Sequence, residues 1–187
     1  MARFRRPVLR SDALEPGRIV GVRLLDTPVA LARLDGAPTA VLDVCRHCQA
    51  QLSLGEIATV DGRQAIQCPY HGWAYGRSGA CVRIPQVPAD RTIPSAAAVP
   101  AFQATEALGL IWVCLAPEAA APLPDFPEFE DPAFRVVTLD ETDPTRASAV
   151  RMIMGTLDDT HFPWVHEGIL GDRADPAPPH HRVARAG

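Results

Sequence analysis

From residue 17 to residue 44, apolar and polar stretches alternate between turn signals. Arg18–Leu25 predicts a strand, Asp26–Pro28 a turn, and Val29–Leu34 a second strand. Asp35-Gly36 predicts a hairpin turn, because an Asp-Gly pair accepts the positive φ angles of a two-residue loop, and Thr39–Val44 a third strand. Thr59–Gln67 predicts another hairpin around Asp61-Gly62, and Ala104–Leu115 contains an apolar strand after a turn at Gly109. Many short strands with closely spaced turns predict a small antiparallel β domain, a barrel or a sandwich.

The pattern changes near residue 116. Prolines 117, 122, 124, 127 and 132 stand among acidic and aromatic residues. That density excludes a regular helix and weakens any strand. Residues 118–145 therefore read as an extended linker that wraps over a neighbouring surface, with one further strand at Phe134–Leu139. Arg151–His166 predicts a helix with Met152, Ile153, Leu157 and His161 near one face. Asp175–Gly187 has no periodicity, and the chain shows no internal repeat.

Composition narrows the classes. A chain of 187 residues is one domain, or one domain and part of another. Apolar residues at 47% and charged residues at 21% suit a globular protein with a real core. A net charge of −4 gives no nucleic-acid footprint, and Arg3, Arg5, Arg6 and Arg10 read as a solvated N-terminal arm. The longest apolar run, Leu108–Ala116, falls short of the ~18 residues of a membrane helix and reads as a buried strand. The basic start has no apolar run after it, so no secretory signal is expected and the cytoplasm is the default location. There, five cysteines are expected as ligands or core residues rather than a disulfide framework.

Two ligand pairs carry the chemistry: Cys45-Arg46-His47 and Cys68-Pro69-Tyr70-His71. Each offers one thiolate and one imidazole, and the twenty residues between them read as a loop plus a hairpin. Both pairs are expected at the tips of adjacent hairpins. Two thiolates suit one iron and two neutral imidazoles the other, the division of a Rieske [2Fe–2S] centre. A structural Cys₂His₂ zinc site is the rival reading, although zinc modules normally use C-x-x-C pairs. Four separate core residues are the other alternative. Cys114 is expected in the core, and Cys48 and Cys81 as small packed residues.

Cys45-Arg46-His47, Leu52-Ser53-Leu54-Gly55, Cys68-Pro69-Tyr70-His71-Gly72-Trp73 and Gly79–Pro85 together resemble the Rieske domain of the aromatic-ring-hydroxylating oxygenase family. The resemblance covers residues 4–117. It implies an all-β Rieske domain over 1–117, with Cys45, His47, Cys68 and His71 holding the [2Fe–2S] cluster. The respiratory type carries two further cysteines that bridge its cluster loops. Tyr70 stands in place of one of them here, so no loop disulfide is expected. The resemblance also implies a terminal oxygenase component fed from NAD(P)H by a reductase or ferredoxin. Such a component uses dioxygen to hydroxylate, or to O- or N-demethylate, an organic and typically aromatic substrate. A homo-oligomer, a trimer, comes with that family.

A second constellation follows in Gly155–Gly171. Asp158 and His161, three apart, would share a helix face, and His166 follows five residues on. Two imidazoles and a carboxylate on one face make a non-haem Fe(II) site, though such residues are also ordinary in helices and loops. The stretch resembles the family's N-x-x-D-x-x-H-x-x-x-x-H segment. By that resemblance His161 and His166 bind mononuclear iron, and Asp158 links it to a Rieske histidine of a neighbouring subunit. Gly155 stands at the asparagine position, and Asp172 and Asp175 are too close to His166 to be the family's third ligand. Residues 146–187 are therefore expected to be the opening fragment of an α+β catalytic domain in a truncated form. The alternative is a Rieske ferredoxin that only carries electrons.

Overall fold

Ten strands form by residue 114: β1 (Arg6–Arg10), β2 (Ile19–Leu24), β3 (Thr27–Leu34), β4 (Ala37–Leu42), β5 (Glu56–Val60), β6 (Arg63–Gln67), β7 (Ala74–Tyr75), β8 (Cys81–Arg83), β9 (Ala101–Ala107) and β10 (Leu110–Cys114). They make two sheets in a computed structural model that describes residues 1–88, 90–136, 146–178, 180 and 182. The six-stranded sheet has the order β1-β10-β9-β4-β3-β2 and the four-stranded sheet β5-β6-β7-β8. Every pairing is antiparallel, as the alternating pattern and short turns require.

Strand β3 shows why this sequence makes this core. Val29, Ala30, Leu31 and Ala32 are all fully buried. Successive side chains point to opposite faces, so the strand feeds two apolar clusters. Val29 and Leu31 join Leu14, Leu24, Ala40, Ile111 and Val113. Ala30, Ala32 and Leu34 join Val41, Leu52, Ile66, Tyr75 and Val99. Cys45 and Cys68 belong to this second cluster. Each Leu, Ile or Val so buried contributes about 1.5–3 kcal/mol.

The hairpins follow the turn chemistry, with one correction. Asp35-Gly36 and Asp61-Gly62 both have positive φ at both positions, the twist-matched two-residue loop. The first turn is Leu25-Asp26, with φ of 48° and 64°, rather than Asp26–Pro28. Thr27 and Pro28 already belong to β3, paired with Leu24 and Arg23. Proline is tolerated this near a strand's start, and Leu25 carries the strained conformation instead. Strand β4 begins earlier than expected and stops at Leu42, which leaves Asp43 onward to the first ligand loop.

The basic start is not a free arm. Strand β1 pairs with β10, with a bulge between Pro7 and Leu9, and Val8 and Leu9 pack on the first apolar cluster. The Pro-rich stretch is irregular apart from a single 3₁₀ turn at Pro127–Phe129, and it folds back on the β domain. Arg5 Nη1 donates to Ala121 O at 2.9 Å, Ala120 N to Arg3 O at 2.7 Å, and the Phe129 ring lies beside Gly109. Met1–Arg135 accordingly make one compact unit and Val136–Gly187 another. Of the strand expected at Phe134–Leu139, Phe134–Val136 are not extended in a sheet, and 137–139 lie outside the described residues.

In the second unit the expected single helix over Arg151–His166 is two: α1 (Ala149–Thr156) and α2 (Phe162–Val165). Ser148 caps α1 by accepting from Arg151 N at 3.3 Å. The break has a local cause. The Asp158 carboxylate accepts from Thr160 N at 3.0 Å, a turn that competes with helix, and Pro163 can only open a new helix. Val150, Met152, Ile153, Met154, Leu157, Trp164, Val165, Ile169 and Leu170 are exposed. Among the described residues no helix is long and apolar enough to cross a membrane.

Candidate metal centre

Two loops of similar construction carry the ligand pairs. The first connects the two sheets, after β4, rather than tipping a hairpin. Cys45 N donates to Ala50 O at 2.8 Å and Gln49 N to Cys45 O at 2.9 Å, with Gln49 at a positive φ of 59°. The second joins β6 to β7. Cys68 N donates to Trp73 O at 2.8 Å and Gly72 N to Cys68 O at 3.1 Å. In both, the cysteine sits at the closed neck and the histidine in the turn.

Three further groups tie the loops together. The buried Asp43 carboxylate accepts from both Ser53 N and Ser53 Oγ at 2.6 Å, which clamps the first loop shut. Strand β2 passes so close that a Cβ on Gly21 would lie 2.8 Å from Ser53 Oγ. A Cβ on Gly55 would lie 2.0 Å from Gln67 O, so glycine lets the end of the first loop touch the residue before Cys68.

The donors separate by depth. The Cys45 and Cys68 thiols are buried, at 1% and 3% exposure, whereas His47 is exposed and His71 half-buried. The imidazole ring centres stand 4.6 Å apart. His47 stacks flat on Trp73 at 4.8 Å, and Tyr70 packs against His71 at 4.0 Å. Burial pushes the Cys68 thiol above its ordinary 9.0, and the neighbouring Cys45 thiol adds to this. Bound metal would reverse that, because coordination deprotonates a thiol outright.

Tyr75, fully buried in β7, is a site residue that sequence reasoning passed over. Arg46 N donates to its hydroxyl oxygen at 3.1 Å, which leaves the phenolic hydrogen for Cys45 Sγ at 3.2 Å. Burial, and then the Cys45 contact, push the phenol well above its ordinary value, so it remains a neutral donor. Asp43 and Ser53 were likewise missed, their partnership spanning ten residues with no motif to mark it. Cys48 is corrected: it is exposed rather than packed, with its donor atom within 4.8 Å of those of His47 and His71. Cys114 is buried in the core and Cys81 is partly buried, its thiol pushed up by burial. All five cysteines are free thiols.

This donor set suits a [2Fe–2S] cluster. Two buried sulfurs lie together beneath two paired imidazoles, one pair for each iron. A single tetrahedral zinc would need all four donors around one point. The set that does converge within 4.8 Å includes neither Cys45 nor Cys68.

In the second unit, His161 Nδ1 lies 3.7 Å from Asp158 Oδ2, and the His161 and His166 ring centres are 5.3 Å apart with Phe162 beside them. Asp158 and His161 meet in the turn between α1 and α2, not on a helix face. The Asp158 carboxyl is held below its ordinary value first by the Thr160 hydroxyl, then by Thr160 N and His161. The three side chains, with Met152, Gly155 and Phe162, line an open cavity of about 610 Å³. A Cβ on Gly155 would meet nothing within 4 Å.

The comparisons agree with this geometry. The family model for the Rieske [2Fe–2S] domain matches residues 5–103. Methylxanthine N1-demethylase NdmA of Pseudomonas putida is 37% identical over 161 residues, 86% of this chain and 44% of that protein. The oxygenase component of dicamba O-demethylase from Stenotrophomonas maltophilia is 40% identical over 122 residues, 63% of this chain and 34% of that protein. The solved NdmA structure superposes with a TM-score of 0.81 at 34% identity, covering 96% of this chain and 54% of that one. The chain thus spans less than half the length of these curated relatives. Buried paired sulfurs beneath paired imidazoles, within a fold shared with these proteins, identify the chain as a member of the Rieske [2Fe–2S] family whose relatives are Rieske oxygenases.

Proposed function

We propose that Cys45, His47, Cys68 and His71 hold a [2Fe–2S] cluster, and that the chain is the electron-receiving part of an oxygenase that hydroxylates or O- or N-demethylates an organic, aromatic substrate. The observation that carries this reading is the separation of donors into a buried sulfur pair and a rim imidazole pair. Bound, the cluster supplies one-electron storage, and an iron at the second site supplies dioxygen chemistry. The protein's own part is to keep water from the sulfurs, to donate the Tyr75 hydrogen bond to Cys45, and to leave His47 at the surface where a partner can reach it.

In this reading, residues 1–117 are the Rieske domain, 118–145 a linker, and 146–187 the opening of a catalytic domain. His161 and His166 supply two imidazoles for mononuclear iron, and Asp158 orients His161 on the path to a Rieske histidine of a neighbouring subunit. Support comes from the demethylase names of the relatives. The electron source is a reductase or ferredoxin fed by NAD(P)H, and the assembly a homotrimer. The setting is the cytoplasm, where thiols stay reduced.

The test begins with anaerobic reconstitution of the chain, measuring visible absorption, iron and acid-labile sulfide. Two irons and two sulfides per chain are expected, and none in Cys45→Ser or Cys68→Ser. A chain that keeps its fold yet takes up neither iron nor sulfide in zinc-free reconstitution sinks the cluster assignment. The loaded chain is then supplied with Fe(II), reductase, NADH and oxygen, with methylxanthine or methoxy-aromatic substrates. Turnover in wild type that His161→Ala abolishes supports the oxygenase. Electron uptake with no turnover, in this chain and in a chain completed to the relatives' length, replaces it with the ferredoxin reading.

A further inference from the structure

The cluster reading leaves Cys48 without a task, yet Cys48 is the one exposed cysteine. Its Sγ and one ring nitrogen each of His47 and His71 lie within 4.8 Å of one another. We propose that, before a cluster is installed, His47, Cys48 and His71 form a binding site for a borderline-soft divalent cation, Zn(II), and that zinc held there blocks cluster assembly. The inference rests on the ligand assignment above for its consequence, but not for the site itself.

The chemistry of the three donors supports the choice of metal. One thiolate and two imidazoles are zinc's preferred partners, and three protein ligands leave the fourth tetrahedral position to water. Hard cations such as Mg(II) and Ca(II) want oxygen donors, which this set lacks. With Zn–S and Zn–N bonds of about 2.3 and 2.0 Å, tetrahedral donors lie roughly 3.5 Å apart. The three atoms must therefore close in by about 1 Å, within the reach of side-chain rotation.

The backbone is built to keep them near. Gln49, in its left-handed conformation, returns the chain so that Gln49 N reaches Cys45 O, which holds Cys48 beside His47 within a closed turn. His47 is braced on Trp73, and the Trp73 carbonyl receives the Cys68 N–H that closes the loop carrying His71. The two loops thus present the three donors on one rim.

Access decides the order of events. Cys45 and Cys68 lie beneath the rim, at 1% and 3% exposure. A cation arriving from solvent meets His47 and Cys48, both exposed, and then His71. Binding releases the Cys48 thiol proton to solvent and involves no electron transfer. Zinc seated there occupies both imidazoles that the cluster needs.

The test uses the chain of residues 1–187 freed of cluster. It is labelled with N-ethylmaleimide, with and without one equivalent of Zn(II), and each cysteine is quantified by peptide mass spectrometry. Zinc is expected to slow Cys48 labelling at least tenfold, and Cys48→Ser to weaken zinc affinity at least tenfold. Co(II) bound to the Cys45→Ser/Cys68→Ser chain should show the charge-transfer band of a single thiolate. If zinc leaves Cys48 labelling unchanged, or if Cys48→Ser binds zinc as tightly as the parent, the site does not exist. In reconstitution, one equivalent of zinc should slow cluster formation at least tenfold in wild type and far less in Cys48→Ser. Equal slowing in both chains, or none in either, refutes the competition. Cys48→Ser without zinc should assemble the cluster normally; failure there would instead overturn the four-ligand assignment.

Discussion

Gly55→Ala tests whether the two ligand loops depend on one close approach. The glycine has φ of −88° and ψ of −156°, a conformation that any residue adopts, so its role is space and not backbone freedom. An alanine Cβ would stand 2.0 Å from Gln67 O, where real contacts do not fall below 3.0 Å, so the chains must part by at least 1.0 Å (3.0 − 2.0). The obstacle is backbone, pinned by the β5–β6 pairing Glu56↔Gln67, and cannot rotate away. Overpacking of this kind costs roughly 3 kcal/mol. For a unit of this size that lowers the melting temperature by about 10 °C. Gln67 immediately precedes Cys68, so the same displacement separates the two loops, whereas metal sites tolerate ligand errors of only about 0.2 Å. Thermal unfolding and iron content per chain should therefore both fall. Gly76→Ala is the control: its added Cβ meets only Val82 Cγ1 at 3.4 Å, and it should shift stability by less than about 0.5 kcal/mol. A Gly55→Ala chain that melts within about 2 °C of wild type and carries full iron refutes the steric argument.

Two further outcomes follow from named contacts. Tyr75→Phe strands the Arg46 N–H, at a cost of about 1–3 kcal/mol, and removes the hydrogen bond to Cys45 Sγ. That bond favours the more negative, reduced state by about 0.5–1.5 kcal/mol, so the midpoint potential should drop by roughly 20–60 mV in a redox titration followed by visible absorption; an unchanged or higher potential contradicts the donor assignment. Glu106 forms a two-pronged pair with Arg33, at 2.6 and 2.7 Å, and this guanidinium holds its carboxyl below the ordinary 4.5. A folded value below the unfolded one means the pair's stabilisation is present above pH 4.5 and is lost as pH falls through the folded value. Glu106 is partly exposed, which limits the pair to about 1 kcal/mol or less. Denaturant titrations of wild type and Glu106→Gln should differ at pH 7 and converge in acid; a constant difference from pH 7 to pH 3 rules the linkage out.

What the amino-acid sequence determined alone is what neighbours in the chain decide. The apolar run of β3, the Asp35-Gly36 and Asp61-Gly62 turns, and the close Cys/His pairs at 45–47 and 68–71 are set within a few residues, by strand-favouring side chains and by backbone conformations that particular residues favour. What the tertiary structure decided are partnerships between distant residues. Strand β1 became a sheet edge because β10, a hundred residues on, supplied its hydrogen bonds and a place for Val8 and Leu9. Tyr75 reached Cys45 across 30 positions, and Asp43 reached Ser53 across ten. Gly55 looked like one letter of a motif until the Gln67 carbonyl stood where its Cβ would be. Around 157–161 the helical periodicity pointed the wrong way, because the Asp158 turn and Pro163 outweighed it where few tertiary contacts hold a longer helix together. Composition constrains such pairings only weakly, since each depends on which surfaces meet once the chain has closed.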